Sequence, residues 1–213
     1  MIHQFRKVIF LFIVVLFTSC AATMNVDWRK EGFNGAEFET VAVIVTGKDR
    51  ALRAVVEEDI SKLIEKKGIQ TKLGTALFSP ANSLKNLEVE QIATVLKKAN
   101  VDGVITVTLL DVKEKSAYTS GKVVSYPDGY VRVGKYIYRN YSRVVLPGYY
   151  TNVNDYLIES NLYNMNASSK QEALLWSGQS DVYDPKSLES AANSYASNLV
   201  RYLFDNTLLI AKK

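Results

Sequence analysis

The amino-acid sequence predicts an α/β fold of the α+β kind: a single mixed β-sheet with a β-α-β-α-β start, antiparallel hairpins and a closing C-terminal helix. Three observations predict it. Two strand–helix–strand patterns follow one another between residues 40 and 112. Helical periodicity then disappears until residue 184, replaced by alternating segments between turn residues. A last amphipathic stretch begins at Asp184-Pro185, with proline in a first turn where its missing N–H costs nothing.

The first strand is Thr40–Thr46, TVAVIVT, an unbroken apolar and β-branched run of the kind buried on both faces. Gly47 and Lys48 turn the chain, and Asp49 is placed to cap a helix. Leu52, Val55, Val56, Ile60, Leu63 and Ile64 recur at helical spacing, and Gly68 stops that helix. Ile69–Leu73 is a short second strand. After a loop with Pro80, a helix over about Leu87–Ala99 presents Val89, Ile92, Ala93 and Leu96, with Asn100 as a left-handed cap. Gly103–Val112 is the third strand. Right-handed crossovers make these strands parallel, with the first between the second and the third.

Further on, YPDGY at 126–130 and LPG at 146–148 mark turns between antiparallel strands. Tyr156–Tyr163 alternates, with Tyr156, Ile158 and Leu162 on one face, and Ala173–Gly178 is its hairpin partner across NASSK. The closing helix carries Leu188, Ala192, Tyr195, Leu199, Tyr202 and Leu203 on one stripe, and the tail after Asp205 is read as its extension.

The amino terminus has a different character. Arg6 and Lys7 precede ten apolar residues, Val8–Phe17, followed by Thr18, Ser19 and the single cysteine of the chain, Cys20. A charged start, a short apolar run and small residues before a cleavage point make a secretory signal. The run is too short to span a bilayer, which takes about 20 residues. Phe17-Thr18-Ser19-Cys20 resembles the lipobox of bacterial lipoproteins, with Phe17 in place of the usual leucine. The resemblance implies removal of residues 1–19 and lipid, palmitate for example, on Cys20, followed by a lipidated tether over 20–39 and a single α/β domain over 40–213. It also implies a cell-envelope location. Ala21 and Ala22, without aspartate after the cysteine, resemble an outer-membrane sorting signal facing the periplasm.

Composition narrows the chemistry. With the signal removed, the formal charge falls from +4 to +2, which gives no field for nucleic acid. The only histidine, His3, leaves with the signal. Catalytic sites that need imidazole or a free thiol are thereby excluded from the processed chain, as are zinc sites built on them. No cofactor and no metal is expected. The remaining carboxylate pairs do not suggest catalysis: Glu57 and Glu58 diverge on their helix, and Asp155 and Glu159 share the face of a strand expected to be wet. Gly129–Lys135, GYVRVGK, has the spacing of a phosphate loop. However, Tyr136 stands where serine or threonine would bind magnesium, and the interior alternates like a strand.

The most unusual segment is the hairpin at about 113–153. Ten of the 13 tyrosines fall between Tyr118 and Tyr163. Seven basic residues over 113–153 face only Glu114 and Asp128, a local excess of five positive charges. Tyrosine and arginine favour interfaces, and they also stack on sugars. Tyr130, Arg132, Tyr136, Tyr138, Arg139, Tyr141 and Arg143 are therefore the candidate partner-binding residues. The bland alternative is a solvated hairpin whose tyrosines pack across strands.

AVIVTGKDRALRAVVEEDISKLIEKKG, then LKKANVDGVITVTL, resembles a group of periplasmic α/β lipoprotein domains. The group includes the amino-terminal domain of TolB, the curli-secretion lipoproteins and lipoprotein activators of peptidoglycan synthases. SNLYNMNASSKQEALLWSGQS resembles the group's last hairpin, whose strand ends in a tryptophan–glycine pair, here Trp176 and Gly178. The resemblance covers about Thr40–Phe204 and carries no catalytic residues. It implies a non-enzymatic accessory or scaffold lipoprotein, anchored to the membrane through Cys20, that binds an envelope protein. The alternative partner is peptidoglycan or another glycan.

Overall fold

A computed structural model describes residues 23–78, 87–133, 136–183 and 187–211. The expected signal, Cys20, Pro80 and Asp184-Pro185 lie outside the described residues. The fold is mixed α/β, with strands β1 (Thr23–Arg29), β2 (Thr40–Thr46), β3 (Gln70–Leu73), β4 (Gly103–Thr119), β5 (Lys122–Val133), β6 (Tyr136–Leu146), β7 (Tyr149–Asn164) and β8 (Leu174–Val182). The helices are α1 (Arg50–Glu65), α2 (Gly74–Leu77), α3 (Val89–Lys98), α4 (Lys170–Ala173) and α5 (Leu188–Asp205). Two compact units form: one runs to Val112 and resumes at Asp155, and the other is Lys113–Asn154.

The first unit contains a six-stranded mixed sheet in the order β1-β8-β7-β4-β2-β3. β2 is parallel to β3 and to β4, and so lies between them as its sequence pattern predicts. Right-handed crossovers leave β2 in one direction and return from β3 in the other, which places the two connecting helices on opposite faces. β2 is accordingly buried on both sides. Val41, Val43 and Val45 enter a core with α1 and α5, while Ala42 and Ile44 enter a second core with Leu96 of α3, Phe78 and Val104. The caps follow sequence chemistry. Asp49 accepts from the N–H groups of Ala51 and Leu52, and Gly68 and Asn100 take positive φ after their helices.

Glu57 of α1 is 1% exposed, and its carboxylate points into the protein. It accepts from Val45 N at 3.0 Å, Thr75 N at 2.7 Å and Thr75 Oγ1 at 2.7 Å. One side chain thus joins α1 to the end of β2 and the start of α2. Gly74 is required beside it, since a Cβ there would lie 2.9 Å from Glu57 Oε1 and 3.0 Å from Ile44 Cα. Asp102 does similar work at the other end of the strands, accepting from Glu39 N at 2.8 Å and Thr40 N at 2.9 Å.

Four expectations are corrected. The tether over 20–39 is structured from Thr23 onward: β1 pairs antiparallel with β8, and Phe38 is buried. The missed signal is the alternation in TMNVDWR, which a single edge strand far from its partner in sequence makes easy to overlook. The tail after Asp205 does not extend α5. Asn206 ends the helix, Thr207 takes φ 56°, and Leu208 and Leu209 turn back into the core beside Ala36. α5 begins later than expected, with Ser187 as N-cap accepting from Ser190 N, and Leu188 is exposed. The Trp176–Gly178 pair does not end its strand, because β8 continues to Val182.

That pair has a steric reason. Residues two apart on a strand share a face. The fully buried Trp176 ring lies over Gly178, where a Cβ would sit 2.3 Å from Cζ2. Tyr202 of α5 packs on the same ring, with centroids 5.8 Å apart.

Two outcomes follow from these contacts. Glu57→Ala should lower the unfolding free energy by about 3 kcal/mol, because it orphans buried donors, and Glu57→Gln should cost less since one acceptor oxygen remains. Urea titration followed by far-UV circular dichroism reads both; equal stability of all three proteins would deny Glu57 its joining role. In a Trp28→Phe background, Gly178→Ala should displace Trp176, red-shift its fluorescence and destabilise the protein by about 1–3 kcal/mol. An unchanged emission maximum would show that the ring does not cover this glycine.

Candidate functional site

Two surfaces merit attention, one in each unit. In the first unit, the β2–α1 turn, Gly47–Asp49, opens at the carboxyl end of β2, where Thr46 pairs with Thr108 partway along β4; the carboxyl ends of parallel strands are where open α/β sheets place their ligands. A cleft of about 350 Å³ lies there. Leu52 and Val56 of α1 form one wall, and Ala191, Ala192 and Tyr195 of α5 form the other. Val107, Tyr156, Ile158 and Val182 supply the floor from β4, β7 and β8. Lys48, Asp49 and Arg53 bring the charges.

The polar groups of this cleft are unevenly satisfied. Asp49 is occupied with capping α1. The Tyr195 hydroxyl pairs with Ser160 Oγ at 2.5 Å, and both residues are buried. Burial pushes the Tyr195 phenol well above its ordinary range, with the Ser160 hydrogen bond acting in the opposite direction. Arg53 Nε is buried without a hydrogen-bond partner among the described residues. An unmet buried donor of that kind costs about 1–3 kcal/mol. Sequence reading passed over this cleft because its walls are the ordinary core-facing stripes of two helices.

The carboxylates considered from sequence do not converge. Glu57 is consumed by the hydrogen bonds described above, and Glu58 pairs with Lys62 at 3.1 Å on the exposed side of α1. Asp155 is buried, which corrects the expectation that it faces solvent, while Glu159 accepts from Asn161 Nδ2 at 3.1 Å.

The second unit contains the β5–β6 ribbon. Its register pairs Ser125 with Arg143, Pro127 with Tyr141, Tyr130 with Arg139, Arg132 with Ile137, Val131 with Tyr138 and Val133 with Tyr136. Paired positions share a face, and positions along a strand alternate between faces. Tyr130, Arg132, Arg139, Tyr141 and Arg143 therefore occupy one face of the ladder, while Tyr136 and Tyr138 belong to the other with Val131 and Val133. An irregularity between Pro127 and Tyr130 preserves this sorting by taking up the extra residue. The seven candidates thus divide between two faces, a separation that residue counts could not reveal. The phosphate-loop reading finds no support in this register: Gly129–Val133 is strand, and the following element is β6. Gly134 and Lys135 lie outside the described residues.

Near the base of the ribbon, Val123 and Val145 oppose each other and are 61% and 70% exposed. Arg143 is exposed as well. In the same unit, the exposed rings of Tyr118 and Tyr150 pack 4.9 Å apart.

No known protein family matches the sequence, and no curated protein matches it. Among solved structures, the PelC dodecamer from Paraburkholderia phytofirmans is similar at 12% identity and a TM-score of 0.45, over 88% of this chain and 99% of that chain. A second PelC crystal form, of a point variant, gives 13% identity and a TM-score of 0.45 over 89% and 100%. A PDZ domain protein from Parabacteroides distasonis gives 12% and 0.35, over 86% of this chain and 34% of its own. Likeness at this level carries nothing about function.

The Tyr195–Ser160 pair sets a pH limit. The folded protein keeps the phenol protonated at a pH where the unfolded chain loses that proton, so stability is intact below about pH 10 and falls as pH rises beyond it. The expected slope from this group is about 1.4 kcal/mol per pH unit. Urea midpoints between pH 8 and 11 measure it. Tyr195→Phe should remove that component of the slope while costing about 1–3 kcal/mol at neutral pH through the unpaired Ser160 hydroxyl. An identical alkaline slope in Tyr195→Phe would assign the fall to other groups.

Proposed function

We propose that this is a non-enzymatic accessory or scaffold protein of the bacterial cell envelope, lipid-anchored through Cys20 on the periplasmic face of the outer membrane. It binds a protein partner with an acidic surface through the arginine-bearing face of the β5–β6 ribbon. The anchor rests on the sequence before residue 23, where the charged start, apolar run and lipobox-like Phe17-Thr18-Ser19-Cys20 stand together. The observation that carries the binding role is the register: Arg132, Arg139 and Arg143, with Tyr130 and Tyr141, share one face of a two-stranded ladder.

Three like charges on one face of a ladder disfavour one another, and an acidic surface offsets that repulsion. Arginine also presents a planar fork to carboxylates, and tyrosine supplies rigid contact area at small entropic cost. Single exposed ion pairs contribute little, so the affinity comes from the set acting together.

The test is in-cell photo-crosslinking of the full chain from position 143, with position 58 on the exposed side of α1 as control, followed by mass spectrometry. A protein captured from 143 and not from 58 is expected. Reversing Arg132, Arg139 and Arg143 to Glu should then weaken its binding by at least about a hundredfold, because like charges across an interface cost several kcal/mol. Capture of glycan fragments alone would replace the protein partner with peptidoglycan. Undiminished capture by the charge-reversed chain would remove this face from the interaction.

A further inference from the structure

We infer that the cleft between α1 and α5 is a binding site for one single-chain fatty acid, with its acyl tail between the helices and its carboxylate at Lys48 and Arg53. The walls decide the tail. Leu52, Val56, Ala191, Ile158 and Val182 offer no hydrogen-bonding side chains, and the buried hydroxyls of Tyr195 and Ser160 already satisfy each other. A peptide segment of this or another chain would carry N–H and C=O groups into a place with few partners for them. An acyl chain brings none. The volume, about 350 Å³, falls near the lower end of small-molecule sites and favours one chain over a diacyl lipid.

The rim decides the head group. Lys48 and Arg53 line the cleft with Asp49, whose carboxylate is turned to the N–H groups of Ala51 and Leu52. The first turn of α1 is therefore occupied, and the cations available to an anion are the two side chains. Arg53 Nε, buried and without a partner among the described residues, is a donor that a carboxylate would satisfy. This inference concerns the first unit alone and is independent of the lipid anchor and of the ribbon.

The experiment is photolabelling of the full-length chain with a diazirine-bearing palmitic acid, with the labelled peptides mapped by mass spectrometry. Labels are expected on the peptides containing Leu52–Val56 and Ala191–Tyr195. Palmitic acid should compete at least about tenfold better than hexadecanol, and Lys48→Gln with Arg53→Gln should abolish that preference. Ala191→Phe should block labelling by filling the cleft, and Leu109, which lines the cleft from β4 and is exposed, provides through Leu109→Trp a second obstruction should the first variant fold poorly. Equal competition by acid and alcohol would overturn the assigned head group. Labelling that maps elsewhere, or persists in folded cleft-filled variants, would overturn the site. Labelling seen only after Cys20→Ser would show that the chain's own acyl group is the occupant, and cleft-dependent dimerisation in place of labelling would show a second copy there; either overturns the free fatty acid.

Discussion

The carboxylate of Glu57 holds three pieces of the first unit in one arrangement. It satisfies Val45 N near the end of β2 and both donors of Thr75 at the start of α2, from a buried position on α1. Buried donors at strand and helix ends otherwise go unmet, so a single acceptor with two oxygens suits this corner. The spacing between α1 and β2 also governs the cleft, since Val45, Leu52 and Val56 contribute to its lining. A side chain that sequence alone presents as one of two adjacent helix glutamates is thus a structural joint.

Around this joint, the chain ends close the unit. β1 completes an edge of the sheet against β8, and Arg29 donates through Nη2 to the carbonyls of Asn206 and Thr207. Ala36 exchanges backbone hydrogen bonds with Leu208 and Ile210. Segments that look like a tether and a tail are therefore parts of the core boundary from Thr23 onward. On the other side of β8, Trp176 fills the space that Gly178 leaves and meets Tyr202, so strand and closing helix fix each other.

The two candidate surfaces follow different physical rules. The cleft is apolar with a small charged rim, which suits a molecule whose polarity is concentrated at one end. The ribbon gathers the Arg132, Arg139 and Arg143 positions on one face together with Tyr130 and Tyr141, and puts Tyr136 and Tyr138 on the other.

Local chemistry made much of the fold legible. TVAVIVT could be only a strand with both faces covered, Asp49 and Gly68 bracket α1 through their capping preferences, and right-handed crossovers ordered β3, β2 and β4. The concentration of tyrosine and arginine in 113–153 was equally visible, because composition needs no geometry. What only tertiary structure decided depends on partners distant in sequence. β1 is a strand because β8 lies some 150 residues on to receive it, as in Thr23 opposite Asp181. Leu208 turns back because Ala36 and the core await it, and Tyr136 parts from Arg139 because pairing and alternation fix the face of every ribbon position. The cleft required the final packing of two helices. Short-range propensities are written in neighbouring residues, whereas a long-range contact exists only after the chain has closed the intervening loop, and its identity is absent from either segment alone.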